Sequence, residues 1–127
     1  QQARHQYGCL TAAFFNSSGV KFYADRYARA GGRMSFYLRE LRNLCQTLSR
    51  HSPGVPLSVV TDSPLEVRSE LEGCSAFEQV IENQIQLKPN TSWAEKPVAL
   101  MQSPYLATMF LDADIMVCAP LDSMFRL

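Results

Sequence analysis

The stretch Pro56-Leu-Ser-Val-Val-Thr61, PLSVVT, decides the fold class of this chain of 127 residues. Its apolar and β-branched residues predict a buried strand. Directly after it, Ser63 can cap a helix, Pro64 suits a first helical position, and Glu66 would complete a capping box. We expect that helix to end at Gly73, because glycine favours a helix C-terminus. A strand that passes at once into a helix predicts an α/β protein.

Strand-like and helix-like segments alternate on both sides of this unit. A long helix is expected between Gly31-Gly32 and Ser52-Pro-Gly54, because apolar residues recur there at steps of four and three. The apolar residues of that helix are Met34, Leu38, Leu41, Cys45 and Leu48. The segments expected downstream are a strand over Phe77–Ile81, a helix within Trp93–Met101 that starts near Pro97, a strand over Thr108–Val117 and a helical turn over Pro120–Phe125.

The amino-terminal region contains two further strand candidates, Tyr7–Phe15 and Val20–Ala24. We treat residues 1–18 as an extension or an extra strand and residues 19–127 as the domain proper. The alternation predicts a mainly parallel sheet in a Rossmann-like α/β architecture. Right-handed crossovers would place helices on both faces of that sheet.

Composition and charge exclude several classes of function. Hydrophobic residues make up 46% of the chain and charged residues 19%, which is typical of a globular protein. Twelve basic residues balance twelve acidic ones. Nothing electrostatic therefore favours a nucleic-acid polymer or an anionic membrane surface as a partner. No apolar run is long enough to span a bilayer.

The cysteines form no CxxC pair, and His5 and His51 lie far from them in the sequence, so a zinc site is not expected. The four cysteines are Cys9, Cys45, Cys74 and Cys118. Each has apolar neighbours, so we favour small buried hydrophobic residues over disulfides. The single tryptophan, Trp93, is expected to be an anchor of the core.

Two carboxylates, Asp112 and Asp114, interrupt the apolar stretch Phe110–Val117, FLDADIMV. Ligands of parallel α/β sheets bind beyond the carboxyl ends of strands. Side chains at i and i+2 of a strand share a face, so both carboxylates would converge on one point. Such a pair suits Mg²⁺ or Mn²⁺ together with substrate phosphates. Two solvated loop carboxylates are the alternative, because the DxD pattern alone is a weak signal.

The residues around this DxD motif resemble a known family. They are Trp93–Leu100, Ser103–Tyr105, Thr108–Val117 and Pro120–Phe125. Together they resemble the donor-binding part of nucleotide-diphospho-sugar transferases. These are GT-A-fold glycosyltransferases of the class that includes glycogenin and galactinol synthase-like enzymes. Lys96 precedes the DxD by the separation found in that family. The resemblance covers residues 19–127 and is strongest around the DxD.

The resemblance implies roles for the residues that match the family motif. Asp112 and Asp114 would bind Mn²⁺ (or Mg²⁺), and Asp112 would also contact the ribose of the donor. Ala113, between them, would lie against the nucleotide. Lys96 would approach the sugar-diphosphate. These four residues are the candidate catalytic and donor-binding groups.

The resemblance also implies that Ala24 and Tyr27 lie by the base and the ribose. The function implied is transfer of a sugar from a UDP-linked donor to a hydroxyl acceptor on a glycan, a protein or a small molecule. The family works in the Golgi lumen and in the cytoplasm. Two N-glycosylation sequons, at Asn16 and Asn90, favour the secretory pathway. A membrane anchor would lie outside this segment.

Members of the family continue beyond the DxD with an acceptor-binding region and a late histidine that completes the metal site. This sequence ends at Leu127 and has no histidine after the DxD. We therefore expect the amino-terminal, donor-binding half, and no transfer by these residues alone. The alternative is an inactive α/β remnant or binding module with a weak metal and nucleotide site. A haloacid-dehalogenase-like phosphatase ranks far below, because its motif follows the first strand.

Overall fold

The structure of the chain, a computed structural model, describes residues 6–15, 33–87 and 92–125. Its sheet has four parallel strands in the order β3-β2-β1-β4. The strands are β1 (Tyr7–Ala13), β2 (Leu57–Thr61), β3 (Phe77–Glu82) and β4 (Ala107–Phe110). Helices flank the sheet, so the predicted α/β class with a parallel sheet is confirmed, and the arrangement is consistent with a Rossmann-like half-domain.

The helices are α1 (Arg33–His51), α2 (Pro64–Leu71) and α3 (Glu95–Leu100), with 3₁₀ turns at Ser92–Ala94 and Asp122–Phe125. The apolar stripe predicted for α1 is confirmed, since Leu41, Cys45 and Leu48 have no exposed surface and Met34 and Leu38 are partly buried against the same core. Leu44, which was not part of the prediction, is fully buried too. Helix α3 begins two residues before the predicted start, with Pro97 in its first turn. Across the three described ranges, no helix is long and apolar enough to cross a bilayer.

Helix α2 begins at Pro64, and Gly73 adopts a φ of +88° just after it, as predicted. The predicted capping box is wrong, because the Ser63 side chain makes no capping hydrogen bond. The Ser63 hydroxyl instead lies 3.4 Å from Oδ1 of Asp62. The Ser63 N–H donates to Oγ1 of Thr61 at 3.0 Å. The end of β2 therefore determines how this helix starts.

Two apolar cores lie on opposite faces of the sheet. The larger contains Leu44 of α1 and Val67 of α2 packed on Val59 of β2. The smaller joins Val60 of β2 to Ala99 of α3. Adjacent strand residues point to opposite faces, so consecutive valines serve the two cores. Helices α1 and α2 therefore cover one face, and α3 covers the other.

Strand β1 lies inside the sheet, with β2 on one side and β4 on the other. The strand predicted within Tyr7–Phe15 is thus confirmed. It is an interior strand of the sheet, although residues 1–18 were expected to be an extension or an extra strand. Its neighbour candidate, Val20–Ala24, lies outside the described residues, as do the sequon residues Asn16 and Asn90. The first βα connection of the fold therefore starts from Ala13.

A disulfide joins Cys45 of α1 to Cys74, in the loop before β3, with their Cα atoms 6.5 Å apart. The prediction that all four cysteines are small buried hydrophobic residues is therefore wrong for this pair. It is wrong also for Cys118, which is exposed, and holds only for Cys9. Sequence neighbours could not reveal the pairing, because Cys45 and Cys74 are 29 positions apart and meet only when α1 packs against the α2–β3 connection.

Burial of Cys9 affects stability at high pH. Burial raises the pKa of the Cys9 thiol from 9.0 to about 12. The folded state therefore holds this proton more tightly than the unfolded state does. That contribution is complete below pH 9 and is lost as the pH rises towards 12.

Tyr105 lies on the other face of the sheet, where its hydroxyl forms a hydrogen bond with the hydroxyl of Ser58. Burial raises the pKa of Tyr105 to about 12 as well.

We expect the free energy of unfolding to fall between pH 9 and pH 10.5, with Cys9 contributing about 1 kcal/mol per pH unit. Urea unfolding of Cys9→Ala across this range should show a correspondingly flatter slope, whatever its stability at pH 8. Cys118→Ala, which removes an exposed thiol, is the matched control for the loss of a cysteine. Equal slopes for the Cys9 variant and the unmodified protein would contradict the assignment.

Candidate functional site

The strand order reverses direction beside β1. The chain runs from β1 to β2 and β3 on one side, and then places β4 on the other side of β1. In parallel α/β sheets, ligands bind at the carboxyl ends of the strands on either side of such a switch point. A cavity of about 200 Å³ lies at this place. It is lined by Ala12 of β1, by Trp93, Glu95 and Lys96 at the start of α3, and by Phe110, Asp112 and Ala113 at the end of β4.

The structure brings three of the predicted site residues together around this cavity: Lys96, Asp112 and Ala113. Asp114, two residues further on, is exposed and is not among the residues that line it. The remaining two predicted residues, Ala24 and Tyr27, lie outside the described residues. The lysine and the first aspartate of the DxD therefore share one cavity although they belong to different elements.

The DxD lies in a turn and not in a strand. We predicted a strand over Thr108–Val117, but β4 ends at Phe110. The N–H of Ile115 donates to the carbonyl oxygen of Asp112 at 3.1 Å and closes the turn. The prediction that strand alternation makes both carboxylates converge is therefore wrong. Asp112 and Asp114 are both exposed, because a turn presents its side chains to solvent.

Buried residues on both sides hold the DxD turn in place. Leu111 is 8% exposed, and its N–H donates to the carbonyl oxygen of Leu10 in β1 at 2.9 Å. Val117 is 4% exposed, and its N–H donates to Oγ1 of Thr47 in α1 at 2.9 Å. The intervening residues 112–116 are thereby presented at the surface between two fixed points. The apolar residues of FLDADIMV thus act as anchors and not as a continuous strand.

The Lys96 side chain is directed by an aromatic contact. Its Nζ lies 5.3 Å from the centroid of the Phe110 ring, within the range of a cation–π interaction. Phe110 is the last residue of β4, two positions before Asp112. The ring therefore holds the ammonium over the strand end from which the DxD turn leaves. Lys96 is exposed, so its charge stays available to a ligand.

The prediction that Trp93 anchors the core is wrong. Its side chain is 77% exposed and stands on the wall of the cavity. The core on this face is filled without it, by Leu10, Phe14 and Val60 of the sheet with Ala99 of α3. A large apolar ring on a cavity wall is typical of binding sites, where a few polar groups accompany apolar surface.

The carboxyl ends of β1 and β2 are tied by polar side chains. The Thr61 hydroxyl is fully buried and donates to the carbonyl oxygen of Ala13 at 2.6 Å. The carboxylate of Asp62 accepts a hydrogen bond from the N–H of Phe15 at 3.0 Å. These bonds fix the chain where it leaves β1. Two side chains at the carboxyl end of β2, those of Thr61 and Asp62, therefore hold the backbone that leaves β1.

The charges at the site favour a ligand that carries both a cation and an anion. In the described part of the chain, no group of three or more His, Cys, Asp or Glu side chains is placed to hold a metal ion by itself. Mg²⁺ and Mn²⁺ commonly take only one or two carboxylates and complete their coordination with water and substrate phosphates. Asp112 and Asp114 carry oxygen donors of the type that such ions accept. Lys96 carries a positive charge of the type that attracts phosphate, and Glu95 adds a negative charge to the cavity lining.

A larger groove, of about 700 Å³, lies on the opposite side of the molecule between α1 and the α2–β3 connection. It is remote from the carboxyl ends of the strands. Arg42 and Glu70 within it form an ion pair at 2.6 Å, so their charges neutralise each other. Size alone therefore does not make it the functional site.

Sequence reasoning missed four residues of the cavity: Ala12, Trp93, Glu95 and Phe110. The spacing along the chain offered a signal for two of them. Trp93 precedes Lys96 by three positions, about one helical turn, and Phe110 precedes Asp112 by two positions, the spacing of side chains on one face of a strand. Ala12 had no such signal in the sequence, because only the strand order of the sheet places it beside β4.

Comparison with known proteins identifies no family for this chain: no family model matches it, and no curated protein matches it in sequence.

Proposed function

We propose that this chain is the donor-binding part of a glycosyltransferase. It binds a nucleotide-diphosphate sugar, UDP-linked, with Mn²⁺ or Mg²⁺ at the DxD, and the sugar passes to a hydroxyl acceptor. The observation that carries the proposal is the meeting of Lys96 and Asp112 in one cavity at the switch point of the sheet. The resemblance of the surrounding sequence to nucleotide-diphospho-sugar transferases supports the same reading.

Charge selects this class of ligand over simpler ones. A plain anion such as phosphate would face the Asp112 carboxylate, and a plain cation would face the Lys96 ammonium; both arrangements include a repulsion. A diphosphate that carries a divalent cation meets both groups favourably. Its phosphate oxygens attract the lysine, and its cation attracts the carboxylates. Nucleotide-diphosphate sugars are substrates with this combination.

The chain's own residues bind and orient the donor. Lys96, held by Phe110, contacts phosphate oxygens and stabilises the negative charge that grows on the departing diphosphate. Asp112 accepts hydrogen bonds from the ribose, and Ala113 has a side chain small enough for the nucleotide to approach the turn. The divalent cation, when bound by Asp112 and Asp114, supplies further neutralisation of that charge. The acceptor is a glycan, a protein or a small molecule.

The disulfide bears on the cellular compartment in which this reaction would take place. Disulfides persist in oxidising compartments and are rare in the cytosol. The Cys45–Cys74 bond therefore favours the Golgi or another secretory-pathway lumen over the cytoplasm. The sequons at Asn16 and Asn90 point the same way.

A binding module or inactive remnant is the second candidate. It is favoured by the exposure of Asp112 and Asp114 and by the position of Asp114 away from the cavity lining. Such a site would bind the metal and the nucleotide weakly and would not carry out transfer. A haloacid-dehalogenase-like phosphatase is disfavoured, because the motif of that class follows the first strand, whereas here the DxD follows β4, the fourth strand in the described part of the chain.

We expect Asp112→Asn and Asp114→Asn each to weaken Mn²⁺-dependent UDP binding at least tenfold, since each removes a charged ligand of the cation. Titration calorimetry of the natural protein with UDP, with and without Mn²⁺, measures this. Lys96→Ala should weaken UDP binding both with and without the metal. Asp122→Asn is the matched control, because Asp122 lies in the 3₁₀ turn beyond the site.

Two results would count against the proposal. Unchanged UDP affinity in both DxD variants would remove the metal site. Absence of any Mn²⁺-dependent UDP binding to the natural protein would remove the donor function. Weak UDP binding without transfer or hydrolysis of UDP-sugars would favour the binding module instead.

A further inference from the structure

We propose that Trp93 is the stacking platform for the nucleobase of the donor; this inference rests on the function proposed above. The residue lies in the 3₁₀ turn Ser92–Ala94, directly before α3. Its side chain is 77% exposed, the most exposed of the aromatic side chains that line the cavity. A tryptophan ring usually buries most of its large apolar surface. The exposure of Trp93 therefore leaves a flat aromatic face available for a ligand.

The position of Trp93 relates it to the charged groups of the site. Lys96 follows it by three positions, so both leave the same side of the turn that opens α3. Across the cavity stand Asp112 and Ala113, at the start of the DxD turn. A ligand whose diphosphate reaches Lys96 and Asp112 therefore has another portion of itself close to the indole.

The size of the cavity limits which portion of the donor fits there. Its volume is about 200 Å³, whereas sites that enclose drug-sized ligands have roughly 300–1,000 Å³. The cavity is thus too small to enclose a whole nucleotide-diphosphate sugar, and we assign to it one ring of the donor. Ala12 and Ala113 contribute small apolar side chains to its lining, which leave room for a ring to lie flat.

The chemistry of the donor identifies that ring as the base. A nucleobase is planar and has a π-face on both sides, and stacking on aromatic side chains is a general way of holding bases. The sugar rings of the donor are puckered and covered with hydroxyls, and the diphosphate has no apolar face. In the proposed site, Lys96 and the carboxylates already bind the diphosphate and its cation. Among the described residues of the cavity, Trp93 therefore recognises the base; Ala24 and Tyr27, which the resemblance implies lie by the base and the ribose, are outside the described residues.

The test uses the fact that Trp93 is the only tryptophan in the sequence. Its fluorescence is therefore a direct reporter of the site. We expect UDP with Mn²⁺ to quench the emission in a saturable way, because a base stacks on the indole. Inorganic pyrophosphate with Mn²⁺ should bind without comparable quenching, since it has no base.

Affinities of variants separate stacking from a structural role. Trp93→Ala should weaken UDP binding about 5- to 150-fold and change pyrophosphate binding less than about twofold. Trp93→Phe, which keeps an aromatic face, should stay within about fivefold of the unmodified protein for UDP. Equal weakening of UDP and pyrophosphate by Trp93→Ala would make the residue structural and overturn the inference. Unchanged UDP affinity in Trp93→Ala would overturn it too.

Two further results distinguish this inference from the function on which it rests. If Trp93→Ala weakens binding of UDP-glucose but not of UDP, the ring on the indole is the sugar and the inference is wrong, while donor binding stands. If the unmodified protein binds neither UDP nor pyrophosphate in the presence of Mn²⁺, the proposed function fails and the inference fails with it.

Discussion

Replacing Gly8 by alanine is expected to lower the free energy of unfolding by about 2–5 kcal/mol, as the sum of overpacking and a weakened buried hydrogen bond. A Cβ at position 8 would lie 2.5 Å from Cζ and 2.6 Å from Cε1 of the Tyr105 ring. Real side chains essentially never approach so closely. Gly8 is therefore needed because β1 and the Tyr105 ring lie in direct contact.

The ring cannot move aside cheaply. Tyr105 is 7% exposed, and its hydroxyl forms a buried hydrogen bond of 2.7 Å with the hydroxyl of Ser58 in β2. Displacing the ring would stretch or break that bond and leave the buried Ser58 hydroxyl without its partner. Since whole domains are stable by only about 5–15 kcal/mol, this change would bring the protein close to unfolding.

Urea unfolding followed by circular dichroism measures the effect. A double-mutant cycle supplies the control: in a Tyr105→Leu background, Gly8→Ala should cost much less than it does with tyrosine present. Gly54→Ala is a second control, because nothing lies within 4 Å of a Cβ there and only its φ of +91° opposes the change. An equal cost of Gly8→Ala in both backgrounds would show that contact with Tyr105 is not the cause.

Loss of the Cys45–Cys74 disulfide is expected to lower the free energy of unfolding by about 3–4 kcal/mol. The bond closes a loop of 29 positions, and constraining a loop of this length in the unfolded chain contributes about that amount. It also clamps α1 against the α2–β3 connection. A neighbouring bond supports the same junction, since the N–H of Ala76 donates to Oγ of Ser49 in α1 at 2.9 Å.

The measurement compares urea unfolding of the unmodified protein with and without dithiothreitol, and of the double variant Cys45→Ala/Cys74→Ala. The double variant should match the reduced protein within the cost of the small cavity left at buried Cys45, and it should not respond to dithiothreitol. Cys118→Ser is the matched control and should be neutral, because Cys118 is exposed and free. An unmodified protein of verified oxidised mass that unfolds identically in reductant would refute this prediction.

Much of the fold could be predicted because its signals are local. The stripe from Leu41 to Leu48 repeats at helical spacing, so α1 could be recognised without knowing what it packs against. The β-branched run ending at Thr61 and the glycine at position 73 likewise act through their own backbone preferences. Strands alternating with helices then leave few topologies other than a parallel sheet.

The candidate site was predicted in part, and for a related reason. Asp112 was selected from the DxD pattern and Lys96 through the resemblance to nucleotide-diphospho-sugar transferases, and the structure places both on one cavity. The geometry assumed for Asp112 and Asp114 was wrong, because apolar content alone does not define where a strand ends. Strand β4 ends at Phe110 although its partner β1 continues to Ala13. After the N–H of Leu111 has bonded to Leu10, the chain turns away at Asp112, where the Ile115 N–H closes the turn.

The sequence by itself determined where α1, α2 and β2 lie, and that charged groups lie near the carboxyl end of β4. Secondary-structure propensity, hydrophobic periodicity and the glycine and proline residues that end elements act over a few residues. The linear sequence is therefore enough to recognise them. Only the tertiary structure decided that Cys45 bonds Cys74, that Tyr105 requires a glycine at position 8, and that Trp93 faces solvent beside Lys96. Each of these features depends on segments that are far apart in sequence. Such segments approach one another only once the strands have assembled into the sheet.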